Sequence, residues 1–275
     1  MLNRVGATAP ALLEDYKMAT TISSISRQGA YEPFELQVSR GQIQGHERFC
    51  PFGFNDAVGS TAETIWSVGG TYTFPSTATA LTVVSASAND DGDPVGTGAR
   101  TVTIEGLDAN YLPVSETVTM NGTTSVSTTQ TFLRVNRAYV ATCGSTGSNV
   151  GAITIANTTP TTLASIAATA GIAEQCVYTV PAGYTAYITR YMLSSYNSTS
   201  GAGSAGQIWV KPYGGANQLA TTVRIPGTGA FSCEADYPFP VTEKSDVDFR
   251  GVALAGSSNM SAQLQMVIIK NDSQT

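Results

Sequence analysis

The run Cys176-Val-Tyr-Thr-Val-Pro-Ala-Gly-Tyr-Thr-Ala-Tyr-Ile-Thr-Arg-Tyr-Met-Leu-Ser-Ser195 decides the fold class of this chain. β-Branched and aromatic residues, which suit a pleated strand, lie on both sides of Pro181-Ala182-Gly183. Pro181 fixes its own φ and Gly183 tolerates φ > 0, so the chain can reverse there. The spacing predicts a strand, a tight turn and a long second strand. That second strand is apolar on both faces. Tyr184, Ala186, Ile188 and Met192 hold even positions, and Tyr187, Tyr191 and Leu193 hold odd ones. A strand with one face in water alternates apolar with polar, so something is expected to cover the second face. Ile188 and Met192 read as sandwich interior. Tyr187, Tyr191 and Leu193 read as the face met by a neighbouring domain or subunit.

Composition agrees with a β fold. The 275 residues are 42% hydrophobic but only 12% charged, about half the usual charged share. Thr, Ser, Asn and Gly supply the remaining polarity, and good helix formers are scarce. The expected class is all-β, with two antiparallel, jelly-roll-like β-sandwich domains behind an extended N-terminal arm. The arm takes residues 1–45, the first sandwich 46–158, a Thr/Ala-rich linker 159–175 and the second sandwich 176–275. Within the arm, residues 10–18 have the makings of a short helix, and Met18 offers an alternative start. Phe34, Leu36 and Val38 alternate with Glu35, Gln37 and Ser39 as in a strand, which makes those three further subunit-contact candidates.

In the first sandwich, strands are expected at 71–74, 81–88, 100–105, 113–120, 131–140 and 152–156, with Asn121-Gly122 as a hairpin signal. In the second, beyond the opening pair, they are expected at 207–210, 220–225, 247–254 and 262–270, with 197–206 as a surface loop tip.

Charge and motifs exclude several function classes. The net charge is −6 and no segment is basic: residues 1–50 hold five Lys/Arg against five Asp/Glu, 51–160 three against eight, and 161–275 six against seven. Nucleic-acid binding therefore lacks its electrostatic footprint. No apolar run approaches the ~18 residues of a membrane span, and Glu14, Asp15 and Lys17 spoil any signal peptide. Cys50, Cys143, Cys176 and Cys233 form no C-x-x-C and read as small buried residues, with Cys50–Cys143 and Cys176–Cys233 bridges left open.

His46, the only histidine, has no nucleophile motif around it and reads as structural. Asn89-Asp-Asp-Gly-Asp93 suggests an oxygen-ligand site but lacks the EF-hand order, so a solvated acidic turn is preferred. Asp246 and Asp248 share a strand face and read as exposed. No catalytic, cofactor-binding or metal-binding residue emerges, and no enzyme activity is expected. A polysaccharide hydrolase would need a carboxylate pair at ~5–10 Å and is the least favoured reading.

Several stretches resemble structural proteins of tailed bacteriophages of the marine and cyanophage type. In the arm and the first sandwich they are Phe34–His46, Glu63-Thr-Ile-Trp66, Gly69-Gly-Thr-Tyr72 and Gly98-Ala-Arg-Thr-Val-Thr-Ile-Glu-Gly-Leu-Asp-Ala-Asn110. In the second they are Val180-Pro-Ala-Gly183, Tyr187-Ile-Thr-Arg190 and Phe239-Pro240, ahead of Thr242-Glu-Lys-Ser-Asp246-Val, a pattern like the jelly-roll module of such virion proteins. The resemblance implies a virion component assembled in the host cytoplasm: a capsid decoration protein, or a head–tail or fibre adaptor. Its expected partners are phage capsid or tail proteins and copies of itself, with a homotrimer as the expected oligomer. It defines no functional residues to carry over. The alternative is a host-glycan-binding receptor module, with Tyr196, Trp209 and Tyr213 as candidate contacts.

Overall fold

The structure, a computed structural model, describes residues 32–199 and 201–271. The expected helix over 10–18 and the start at Met18 lie outside the described residues. Contacts divide the chain into two units, Met1–Ile43 and Gln44–Thr275.

In the first unit, Phe34–Ser39 is not a strand but a short helix, α1. Pro33 precedes its first turn, Glu35 sits within that turn, and Gly41 (φ +66°) ends it. Residues two apart in a helix point to nearly opposite sides. Phe34, Leu36 and Val38 therefore do not form one contact face: Val38 is buried, whereas Phe34 and Leu36 are exposed.

The second unit is all-β, and every ladder between its strands is antiparallel. Its strands are β1 (His46–Phe49), β2 (Phe52–Val58), β3 (Glu63–Thr64), β4 (Thr79–Ser85), β5 (Ala99–Leu107), β6 (Pro113–Thr119), β7 (Val126–Phe132), β8 (Arg134–Cys143) and β9 (Ile153–Asn157). There follow β10 (Thr162–Ile166), β11 (Val177–Thr179), β12 (Tyr184–Asn197), β13 (Ser204–Lys211), β14 (Gln218–Ile225), β15 (Gly229–Val241), β16 (Asp246–Ala253) and β17 (Ser258–Lys270).

Strand pairing redraws the expected domain boundaries. β1 and β2 both bond to β17, and β3 bonds to β16, so residues 46–64 belong to the C-terminal sandwich. That sandwich has one sheet ordered β1-β17-β12-β15 and another ordered β11-β16-β13-β14. The remaining strands form sheets β10-β9-β4-β7 and β6-β5-β8. They make a second sandwich inserted into the first, and its exit and return strands are tied together. Trp66 bridges Gln175, Ser67 N–H donates to Glu174 C=O, and Cys176 N–H donates to Ile65 C=O. The expected linker 159–175 in fact contains β10, a strand bonded to β9. Each sandwich has its own core. Ile188, Leu193, Ile208, Phe249, Leu264 and Met266 help fill the C-terminal one. Leu81, Val83, Ile104, Phe132, Ile153 and Ile155 help fill the inserted one.

The turn 108–112 joins a directly paired hairpin, β5 to β6, but two other turn signals mark where the chain changes sheet. Gly183 adopts φ +77° in the turn after Pro181, as its sequence requires. Yet β11 bonds to β16 while β12 bonds to β15 and β17, so the turn carries the chain from one sheet to the other. Asn121-Gly122 likewise separates β6 and β7, which lie in different sheets. The expected strand 131–140 breaks at Leu133 into β7 and β8 for the same reason. Residues 71–74 form no strand, and β15 was concealed by Pro238 and Pro240.

The two-faced β12 has a specific cause. Its register shifts between Ile188 and Arg190 against both neighbours, and a bulge of one residue inverts the alternation beyond it. Ala186 and Ile188 face the core before the bulge, opposite Ile268 and Met266. After it, Tyr191 and Leu193 face the core, opposite Leu264 and Ala262. Leu193 is thus an interior residue, 2% exposed, and Tyr191 packs at the edge of the same core. Met192 points to the outer face beside Ser232 and Gln263. Of the three expected contact residues on this strand, Tyr187 alone keeps that orientation. Leu193→Ala is therefore expected to cost about 2–5 kcal/mol and Met192→Ala well under that. Urea unfolding of both variants measures the difference; equal losses would mean the bulge is misplaced.

Candidate functional site

Asp246 and Asp248, expected at the surface, lie buried where the two sandwiches meet. They alternate along β16 with Val247 and Phe249, which face the C-terminal core. The inserted sandwich covers the other face of the strand. Arg134, at the start of β8, donates Nε to Asp246 Oδ1 at 2.8 Å and Nη2 to Oδ2 at 3.0 Å. Its Nη1 donates to the carbonyls of Pro75 and Leu133. Thr179 Oγ1 adds a third bond to Asp246 at 2.6 Å. Two residues along the same strand, Asp248 accepts from Thr64 Oγ1 at 2.9 Å and from Arg250 Nε at 2.6 Å. Burial pushes the Asp248 carboxyl above its ordinary range, against the opposing pull of Arg250 and Thr64. Backbone ties complete the junction: Asn136 and Thr179 exchange side chain-to-backbone bonds, and Gln175 Nε2 donates to Val135 C=O.

A cleft of about 500 Å³ opens beside this ion pair, lined by residues 74–78, Ala109, Tyr111, Leu133, Arg134, Lys211 and Tyr213. Arg134 lies 5.3 Å from the centre of the Phe74 ring and 5.5 Å from that of Tyr111. Tyr111 meets Tyr213 edge to face at 5.6 Å, and Lys244 Nζ sits 5.3 Å from the Tyr213 ring centre.

A different surface appears on the sheet that holds β12. Opposite Thr189, four residues of the edge strand β15 (235–238) loop out between the pairs Arg190–Glu234 and Ile188–Phe239. Tyr237 in that loop is 92% exposed, and Phe239 beside it is also exposed. Pro238 and Pro240 have no N–H to offer, which blunts this edge against indiscriminate strand addition. Tyr187 flanks the loop, and Phe52 and Met192 line a groove on the outer face of the same sheet.

The remaining sequence candidates disperse. Trp209 lies under Arg250 at 5.2 Å, Tyr213 lines the cleft, and Tyr196 stands exposed near the end of β12. His46 sits in β1, with Nδ1 within 3.0 Å of Gln44 C=O. All four cysteines are free thiols, and only Cys176 is buried. Asp90 is not a solvated turn residue but fully buried. Among the described residues no group of three His, Cys, Asp or Glu side chains is placed to share a metal ion, and no helix is long and apolar enough to cross a membrane. The signal for the Arg134–Asp246 pair was present as a lone arginine inside the apolar run 132–135.

No family model and no curated protein matches the chain. Solved structures give distant likenesses. One is to the infectious bursal disease virus VP2 subviral particle, at 12% identity and a TM-score of 0.22, over 83% of this chain and 73% of that one. Another is to the Gx strain of infectious bursal disease virus, at 10% identity and a TM-score of 0.24, over 82% and 72%.

Proposed function

We propose that this protein is a structural component of a tailed-phage virion, a capsid decoration protein or a head–tail or fibre adaptor, which works by protein–protein contact and not by catalysis. The observation that carries this reading is the β15 loop. A tyrosine 92% exposed, with an exposed phenylalanine two residues on, is costly to leave in water and is typical of a surface awaiting a partner. Tyr187, Phe52 and Met192 extend the apolar character across the sheet. Low charge suits such a role, because few ions need desolvating on assembly. The sequence resemblance to tailed-phage structural proteins points the same way, and copies of the chain itself, as a homotrimer, are the first partner.

Quantitative mass spectrometry of purified particles tests the reading. Hundreds of copies would indicate decoration and a dozen or fewer the neck or tail; absence from particles would overturn it. Tyr237→Ser is expected to lower incorporation or oligomer content severalfold while thermal unfolding of the free chain stays unchanged, since that side chain lies almost wholly in solvent.

A further inference from the structure

We propose that the cleft between Tyr111, Tyr213 and Lys211 binds an acidic saccharide.

Backbone conformation first singles out the place. Only three non-glycine residues among those described adopt positive φ: Tyr111 (63°), Thr169 (66°) and Lys244 (59°). A bulky L-residue held there is strained and persists only where its surroundings enforce it. Two of the three converge on one side chain, because Tyr111 and Lys244 both contact the Tyr213 ring. The enforcement is visible. Asp108 Oδ1 accepts from the backbone N–H groups of Asn110 and Leu112, and Tyr111 N–H donates to Asp108 C=O. On the other side, Lys244 N–H donates to Val180 C=O. Rigid turns from both sandwiches thus hold an aromatic corner in place. Tyr213 itself remains 65% exposed, so its ring surface is available to a ligand.

Size, charge and shape then select the ligand. A cavity of about 500 Å³ falls within the range of roughly 300–1,000 Å³ found for small-molecule sites. The lining holds Arg134 and Lys211 and no carboxylate. Asp246 already neutralises Arg134, whereas Lys211 and Lys244 form no ion pair among the described residues. The cleft is therefore locally positive on a chain of net charge −6, which favours an anion. A tyrosine ring packs well against the C–H face of a pyranose, Ser76 and Thr77 on the lining can meet ring hydroxyls, and a lysine ammonium meets a carboxylate. An acidic peptide fits less well. The walls are turns and strand ends, so a peptide backbone would find no unpaired strand edge beside it.

The test is an NMR titration of the full chain with glucuronate and N-acetylneuraminate against glucose and galactose, and with an oligogalacturonate to separate free sugar from polymer. Acidic sugars should bind at least about ten-fold tighter than neutral ones, a ratio worth about 1.4 kcal/mol. Tyr213→Ala and, separately, Lys211→Gln should each remove about that factor, with unchanged thermal unfolding because both positions are at the surface. Equal binding of neutral and acidic sugars, binding indifferent to both substitutions, tighter binding of an acidic dipeptide, or no saccharide binding would each overturn the proposal. None of these outcomes touches the virion reading, which particle composition decides separately.

Discussion

Arg134→Ala should destabilise the protein by about 3–5 kcal/mol, a large part of the stability of an ordinary domain. Arg134 supplies two of the three hydrogen bonds to a carboxylate that is 5% exposed. Removing it leaves Asp246 charged, buried and held by Thr179 alone, and it also strips the Pro75 and Leu133 carbonyls of their donor. Most of the loss is the penalty of the orphaned charge, not the worth of the pair. Arg134→Met combined with Asp246→Leu, which removes both charges and keeps apolar bulk, should therefore recover most of it. Urea unfolding of the single and double variants forms the cycle. If the double variant is as unstable as the single one, the backbone bonds of Arg134 dominate and the ion pair is secondary. The effect should also be located. Loss of this contact loosens the inserted sandwich from its host, so hydrogen exchange should rise around 134–136 and 178–180 before the core of β12 and β17.

How far the sequence could be read depended on whether a feature was local. The all-β class, most of the strands and the turn at Gly183 follow from propensity and from residues that reverse a chain. What a strand pairs with is a different kind of fact. Cys176–Ser195 reads equally well as a hairpin and as two strands of opposing sheets, since the turn chemistry is the same. A bulge at Thr189 exchanges inside and outside with no change in composition, and it placed Leu193 in the core and Met192 outside. Asp246-Val247-Asp248-Phe249 alternates as an exposed strand should. The pattern records that the two faces differ, but not that a second sandwich with an arginine covers the polar one. The insertion was hidden for the same reason. Residues 46–64 are separated from their partners in β16 and β17 by most of the chain, with the whole inserted sandwich in between, and no local signal spans that distance.

That topology also bears on what the protein is suited for. The inserted sandwich leaves and re-enters through segments bridged to each other at Trp66 and Gln175, and the same junction is held by a bidentate ion pair. Beside that junction Tyr111 and Tyr213, from different sandwiches, meet edge to face. The exposed β15 loop belongs to the host sandwich. The proposed assembly through that loop and the proposed ligand capture in the cleft use different residues, so each can be tested without the other.

Asp90→Ala should be as damaging as the loss of Arg134, for a different reason. The side chain is fully buried, and its two oxygens accept from Ser85 Oγ and from the backbone N–H groups of Ala99, Val150 and Gly151 at 2.5–2.8 Å. Its own carbonyl accepts from Gly122 N–H. One carboxylate thus joins the acidic turn to the start of β5 and to the approach to β9, in a region where the chain forms no ladder of its own. The packing was arranged around it: a Cβ on Gly98 would lie 2.0 Å from Asp90 Oδ1, so only glycine leaves room. Truncation orphans the buried N–H of Ala99 and the half-buried N–H groups of Val150 and Gly151; with about 1–3 kcal/mol for a fully buried donor and less for the other two, a loss of roughly 3 kcal/mol is expected. Asp90→Asn separates charge from shape. Its amide keeps one acceptor oxygen but turns an NH₂ toward N–H groups that need an acceptor, so it should rescue little. Calcium should not stabilise the wild type, because the carboxylate of the one buried member of 89–93 is already saturated by donors. Thermal unfolding of both variants, and of the wild type with and without calcium, checks these outcomes. A calcium-dependent rise in Tm, or near-wild-type stability of Asp90→Asn, would overturn this account of the turn.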